Sequence, residues 1–289
     1  MTAERWAKAR SFHHSLFPAE RIAAERQQSV SVCLPARECA DTVGDIVAAL
    51  VALRDTGAID EIVVVDAASA DGTATVAERA GAVGWQEAEL MPSYGPVLGK
   101  GDAMWRALSV LGGELVCFLD ADSESFTAHF ASGLLGPLVC EPGVSFVKAC
   151  YRRPLPEGGA SHGEGGGRVN HLMARPALEL FYPELAAVRQ PLAGEVAARR
   201  ELLEELPFAT GYGVEVAMLI DVWCKTGLEG IAQVDLDEHR NRHQPLSALT
   251  PMAATVLTTI AQRLRREGRL QGVEGELIER PPLASVAVP

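Results

Sequence analysis

Apolar residues along this chain follow two alternating rhythms. Short, nearly continuous runs rich in β-branched side chains lie at 29–34, 61–65, 115–122, 144–151 and 231–236, with a shorter one around Val83-Gly84-Trp85. Each reads as a strand buried on both faces, as in a parallel sheet. Between them apolar positions recur at helical spacing over 42–53, from Lys100 to about Leu111, over 128–138 and 170–181, from Gly211 to about Lys225, and over 249–264. Such stripes predict amphipathic helices packed on a core. Strand, loop, helix, strand is the doubly wound α/β rhythm. It predicts a mostly parallel sheet flanked by helices, with ligands bound over the C-terminal strand ends. Residues 1–28 are charged and helix-prone, with Trp6, Phe12, Leu16 and Ile22 loosely spaced. They are expected to form an amphipathic arm on the body or on a partner chain.

The polar residues that interrupt this pattern gather at the expected strand ends. The run from Leu115 passes straight into Asp120-Ala121-Asp122, and residues two apart on a strand point the same way. Two hard oxygen ligands on one side of a site suit a divalent cation that keeps its other positions for water and phosphate oxygens, as Mg²⁺ usually does. The same triplet also serves as a turn or a helix N-cap. Lys100, between Gly99 and Gly101 at a helix start, is either an anion site built from backbone N–H groups and an ammonium or a solvated lysine in a turn. Pro35-Ala36-Arg37-Glu38 closes the first strand, and Asp66 the second, with Asp71 expected to cap the next helix. The glycine-dense stretch 156–168 ends in Arg168, close to Asn170. It reads as a loop able to close over a substrate, with an arginine that either clamps a phosphate or carboxylate or lies free on the surface. Glu215 is either a favourable first-turn carboxylate or a group facing a ligand. His239, in Glu238-His239-Arg240-Asn241-Arg242-His243, is either a metal ligand or part of a solvated basic run.

Composition narrows the partners. The 289 residues are 48% apolar, enough for one large core or two smaller ones, and carry a net charge of −12. That charge disfavours nucleic acid and anionic membranes, because nothing offsets phosphate repulsion over a broad face. A small anion in a local basic pocket remains allowed. The six cysteines show no C-x-x-C spacing, which fits buried thiols in a reducing compartment better than a disulfide frame or zinc site. With no apolar leader and no run near the ~20 residues of a membrane span, a soluble cytoplasmic protein is expected.

The order Pro35-Ala36-Arg37-Glu38, Asp66, Asp71-Gly72-Thr73, Lys100 and Asp120-Ala121-Asp122 resembles the donor half of GT-A glycosyltransferases. The second half is more specific. Tyr151-Arg152-Arg153-Pro154-Leu155, Gly166-Gly167-Arg168-Val169, Gln190-Pro191-Leu192-Ala193-Gly194-Glu195, Gly211-Tyr212-Gly213-Val214-Glu215 and His239-Arg240-Asn241-Arg242 closely resemble the retaining glucosyl-3-phosphoglycerate synthases and their mannosyl relatives. The likeness runs from about residue 29 to residue 260.

This resemblance implies a GT-A fold that transfers a hexose, mannose favoured and glucose allowed, from a nucleoside-diphosphate sugar to the 2-hydroxyl of 3-phosphoglycerate. Transfer would proceed with retention, depend on Mg²⁺ or Mn²⁺, and serve compatible-solute synthesis. It implies an arm (1–28), a donor half (29–155), an acceptor-binding and metal-completing half (156–270) and a tail (271–289), assembled as a homodimer. Pro35, Ala36, Arg37 and Ala67 would line the nucleoside, with Lys100, Asp120 and Ala121 also on the donor. Asp122 and His239 would hold the metal. Gly167, Arg168, Val169, Asn170 and Asn241 would bind the acceptor, and Glu215 would touch the sugar, so that Asp122, Glu215 and Lys100 form the catalytic set. The chain departs from the family's pattern at Arg37 and Cys39, at Asp66-Ala67-Ala68-Ser69 and at Asn170; the first two departures bear on base preference, and GDP-mannose is the donor they favour, with glucose donors tolerated. A sugar-phosphate nucleotidyltransferase would share the sheet and metal but need a glycine-rich basic loop directly after the first strand. An inactive nucleotide-sugar-binding module would keep the same residues without turnover.

Overall fold

The computed structural model describes residues 2–154, 167–240, 245–271 and 278–286. Its strands are β1 (Ser11–His13), β2 (Val30–Ala36), β3 (Glu61–Asp66), β4 (Val83–Gln86), β5 (Leu115–Phe118), β6 (Phe146–Arg152), β7 (Val196–Arg199), β8 (Phe208–Ala209), β9 (Ile231–Glu238) and β10 (Glu279–Arg280). Its helices are α1 (Ala3–Ala9), α2 (Ala19–Glu25), α3 (Ala40–Asp55), α4 (Thr73–Ala80), α5 (Lys100–Ala107), α6 (His129–Cys140), α7 (Arg175–Phe181), α8 (Arg200–Glu204), α9 (Val214–Thr226) and α10 (Leu246–Arg266). Among the described residues no helix is long and apolar enough to cross a membrane.

Eight strands form one sheet in the order β1-β9-β6-β7-β5-β2-β3-β4. The pairs are parallel except those of β7, which runs against both β5 and β6. Alternation along the strands feeds two apolar cores, one on each face. Val30, Val32 and Leu34 of β2 join α3 and α6, while Cys33 faces the core that holds Trp105 of α5 and Leu219 of α9. The predicted doubly wound α/β architecture is therefore what the chain adopts.

Four local features differ from the reading of the sequence. The strand leading to the two aspartates ends at Phe118. The Leu119 N–H still donates to Cys33 O (3.0 Å), but Ala121 O is taken by the Thr42 hydroxyl (2.6 Å), so the chain leaves the ladder. Asp120 and Asp122 thus sit on a loop, and strand alternation does not set their directions. Strand β7 was hidden because its four residues follow a proline-containing turn. Running antiparallel, it brings its N-terminal end, Gly194-Glu195, to the edge where its neighbours have their C-terminal ends. The helix expected over 170–181 opens with a π-turn at Asn170–Ala174. Gly72, left-handed at φ 90°, takes the N-cap place of α4, while Asp71 Oδ1 accepts from the Thr73 N–H (3.0 Å) and hydroxyl (2.6 Å).

The N-terminal arm packs on the body and adds β1 to the sheet edge beside β9. Trp6, Phe17 and Ile22 are fully buried, and Trp6 Nε1 donates to Ile231 O (2.8 Å). At the other terminus β10 pairs with β8, and Trp105 Nε1 donates to Pro281 O (2.7 Å). Arg280 and Arg106 share the buried Asp102 carboxylate (2.6 and 3.1 Å). Burial opposes ionisation of Asp102, but these two arginines overrule it and lower its pKa. Both arginines also bind carbonyls of the 90–96 loop, which they hold against α5. Asp102→Ala leaves Arg106 buried without its counter-charge. It is expected to cost about 3–5 kcal/mol, read as a lower midpoint in chemical denaturation.

Candidate active site

One cavity of about 730 Å³ opens over the C-terminal ends of β2, β3, β5 and β6. Three groups of residues line it in sequence. Pro35, Ala36, Arg37, Cys39, Ala67 and Glu87 form one end. Lys100, Asp120, Ala121, Asp122, Ala193, Gly194 and Glu215 form the middle. Tyr151, Arg153, Gly167, Arg168, Val169, Asn170 and Gln190 form the other end, with Tyr212 and the α10 residues Leu249, Met252 and Val256 closing the side. Cys39 is no nucleophile, since burial pushes its thiol up to about 11.

The middle is organised by a lysine held between two carboxylates. Gly99, at φ 84°, turns the chain into α5, whose first residue is Lys100. Lys100 Nζ lies 2.6 Å from Asp120 Oδ1 and 3.1 Å from Glu215 Oε1. Burial alone would drive this ammonium to lose its proton, but Asp120 and Glu215 outweigh it and raise the lysine's pKa. Gly194 packs directly against the pair. A Cβ there would fall 2.5 Å from both Lys100 Nζ and Asp120 Oδ1, closer than non-bonded atoms approach. Beneath it the buried Lys148 donates to Ala193 O (2.7 Å) and is pushed down to about 8 by burial.

Asp122 projects into the cavity beside this cluster and makes no hydrogen bond among the described residues. Burial and then the Asp120 charge raise its carboxyl, while Lys100 and His239 pull it down. His239 lies under the cavity wall, fully buried, stacked on Tyr151 with centroids 4.7 Å apart. Its Nε2 is 3.1 Å from Glu195 Oε1, yet neither ring nitrogen finds a hydrogen bond. Burial would lower the imidazole's pKa, and Glu195 reverses that and raises it. Glu195 itself accepts from the Tyr151 hydroxyl (2.7 Å), which also accepts from Arg153 (2.9 Å). A carboxylate without donors, made costly by another carboxylate, is the chemistry a divalent cation satisfies, and the buried His239 ring, paired by charge with Glu195 but without a hydrogen bond on either nitrogen, offers it a nitrogen ligand. The residues present fit such an ion, and a site with two protein ligands would leave positions for ligand oxygens.

The structure gathers most of the residues singled out from sequence in this one cleft, and it sorts the basic ones. Arg153 and Arg168 line it, whereas Arg152 is exposed away from it and Arg240 pairs with Glu238 (2.6 Å). Asn170 is buried at the wall, its amide between Arg189 O and the Leu192 N–H (both 3.4 Å). Asn241 lies outside the described residues. Sequence reasoning assigned no role to Glu87, Gly194, Glu195 or Lys148, and none stands in a position that local pattern marks. Only the resemblance, through Gln190 to Glu195, carried any signal for two of them.

Residues 31–146 match the model of glycosyl transferase family 2. The chain is 41% identical to glucosyl-3-phosphoglycerate synthase of Petrotoga mobilis over 267 residues, which cover 90% of this chain and 82% of that one. Against the enzyme of the same name from Mycolicibacterium smegmatis it is 42% identical over 260 residues, 90% of this chain and 86% of that one. The chain belongs to the 3-phosphoglycerate hexosyl synthase family. Its fold is the GT-A fold of that family: the crystal structure of mannosyl-3-phosphoglycerate synthase from Rubrobacter xylanophilus superposes with a TM-score of 0.92 at 46% identity, covering 99% of each chain. Glucosyl-3-phosphoglycerate synthase from Mycobacterium tuberculosis, solved with Mn²⁺, UDP-glucose and phosphoglyceric acid, gives a TM-score of 0.82 at 36% identity over 93% of this chain and 95% of that one. Family members so named join a hexose to 3-phosphoglycerate, which agrees with a cleft that has basic groups at one end and a metal-suited aspartate at its centre.

Proposed function

We propose that this chain transfers a hexose from a nucleoside-diphosphate sugar to the 2-hydroxyl of 3-phosphoglycerate, with retention at the anomeric carbon and with Mg²⁺ or Mn²⁺ bound. The observation that carries the proposal is the division of one cleft: an apolar end at Pro35, Ala36 and Ala67, a lysine-carboxylate centre, and an arginine end at Arg153 and Arg168. A nucleoside suits the first, a diphosphate the second and a phosphorylated acid the third.

Asp122 and His239 would hold the metal, which when bound supplies Lewis-acid neutralisation of charge on the departing diphosphate. Lys100 adds a fixed ammonium at the same place, kept protonated by its two carboxylates and already oriented before substrate arrives. Glu215 faces the cleft with its charge committed to Lys100, which makes it a weak nucleophile. That favours front-face attack by the acceptor hydroxyl over a double displacement, and a glycosyl adduct trapped on Glu215 would refute it. Arg168 and Arg153 concentrate positive charge for the acceptor in a chain whose net charge is −12; their neighbour Asn170 donates from its amide. Mannose is the favoured hexose, supported by the 46% identity to the Rubrobacter mannosyl enzyme. A homodimer is part of the same proposal, supported by the exposed Leu172, Leu180, Leu246 and Leu257 on the neighbouring 170–181 and α10 elements; light scattering of the purified chain reads it.

Incubation with 3-phosphoglycerate and a panel of GDP- and UDP-hexoses, with and without EDTA, tests the whole reading. Metal-dependent glycoside formation is expected, and pyrophosphate release or binding without product would sink it. Arg168→Ala should raise the KM for 3-phosphoglycerate by about tenfold or more while leaving the donor KM within about twofold. An equal rise in both would remove Arg168 from the acceptor end.

A further inference from the structure

Glu87 lines the apolar end of the cleft, just past the C-terminal end of β4. The carboxylates around it are engaged. Asp66 accepts from the Ser69 hydroxyl (2.6 Å), the Ser69 N–H and Gln86 (3.0 Å), and Asp102 from Arg106, Arg280 and the Leu98 N–H. Glu87 is not: half-buried, it makes no hydrogen bond or ion pair among the described residues, and Arg106 and Arg37 reach it only through longer-range charge. Two unfilled acceptor oxygens at the end of a cleft that suits a nucleoside match a ligand with two adjacent donors.

The nucleobases differ on this point. Guanine presents N1–H and the N2 amino group side by side, a bidentate match for a carboxylate. Uracil presents a single N3–H flanked by two carbonyl oxygens, which a carboxylate repels. We propose that Glu87 reads the base of the donor, accepting from N1 and N2 of guanine, so that this chain takes guanosine-diphosphate hexoses in preference to uridine ones. The inference rests on the nucleoside lying at this end of the cleft, and it extends the proposed transfer by naming the donor class.

The protonation state of Glu87 makes the preference depend on pH. Burial and the Asp102 charge push its carboxyl up to about 7, Asp66 adding to this and Arg106 and Arg37 opposing it. Above that pH the side chain offers two acceptors, the complement of guanine. Below it the acid offers one O–H and one C=O, the complement of the N3–H and O4 of uracil. Preference for guanosine donors therefore rises with pH through neutrality.

GDP-glucose against UDP-glucose isolates the base from the sugar, with 3-phosphoglycerate and Mn²⁺ present and the full chain used throughout. GDP and UDP are also titrated onto the chain by calorimetry, which needs no turnover. At pH 8 the wild type is expected to favour the guanosine ligand by at least about tenfold in both kcat/KM and Kd, and less at pH 6. Glu87→Gln, whose amide gives one donor and one acceptor, should lose that preference and its pH dependence. Glu87 makes no hydrogen bond or ion pair among the described residues and burial opposes its ionisation, so at pH 8 the variant should melt at or slightly above the wild type. Equal Kd values for GDP and UDP in the wild type, or a preference that Glu87→Gln leaves intact, overturns the proposal. Guanosine-selective binding that Glu87→Gln abolishes, without hexose transfer from any donor, upholds the base reading and strikes the transfer reading instead. Failure to bind either nucleotide overturns both.

Discussion

Asp122→Ala is expected to lower metal-dependent transfer by about three orders of magnitude or more, the scale of losing several kcal/mol of charge stabilisation. The fold should survive. Asp122 stands on the loop after β5, projects into the cleft and has no hydrogen bond to lose among the described residues. Burial and the Asp120 charge raise its pKa, so the folded chain binds this proton more tightly than the unfolded one. Ionised Asp122 therefore weakens the folded state, progressively as pH climbs above the ordinary carboxylate range. Without metal, the alanine variant should melt at or slightly above the wild type at pH 7, with the gap closing in acid. A variant that melts lower would show that Asp122 supports the fold, and one that keeps more than a tenth of wild-type transfer with Mn²⁺ present would remove Asp122 from the metal.

Lys100→Met should cost about 10²–10³ in kcat, as removal of one preorganised positive donor does elsewhere. Its loss leaves Asp120 and Glu215 facing the cleft without the ammonium now 2.6 and 3.1 Å away. Gly194→Ala offers a second route to the same lesion with the lysine retained. The added Cβ, 2.5 Å from both Lys100 Nζ and Asp120 Oδ1, must push the pair apart. We expect a fall in kcat comparable to that of Lys100→Met. Steady-state rates for the two variants decide the matter: if Gly194→Ala turns over within threefold of the wild type, the spacing of this pair does not set the rate.

Much of the cleft was legible because its parts lie where a strand hands over to a loop. Pro35 to Arg37, Ala67, Lys100 and Asp120 to Asp122 each follow an apolar run or open a helix, and those transitions leave a local mark. Gly194 and Glu195 leave none, because β7 runs against its neighbours and delivers its beginning, not its end, to the site. Glu87 looks like one more surface acid in Gln86-Glu87-Ala88-Glu89. Lys148 sits inside an apolar strand, where a lysine suggests an edge or an error. The C-terminal tail had no sequence reason to be ordered, until Arg280 met the buried Asp102.

The sequence alone determined the doubly wound, mostly parallel sheet and the kinds of group presented at the strand ends, because burial periodicity and turn chemistry are local properties. Tertiary structure decided which of those groups meet. Whether Lys100 faces a carboxylate, whether Glu195 comes within 3.1 Å of the His239 ring and whether Glu87 lacks a hydrogen bond among the described residues depend on strand order and on the one reversed strand. Lys100 meets Asp120 across 20 positions and Arg280 meets the buried Asp102 across 178, separations over which the local pattern carries no information.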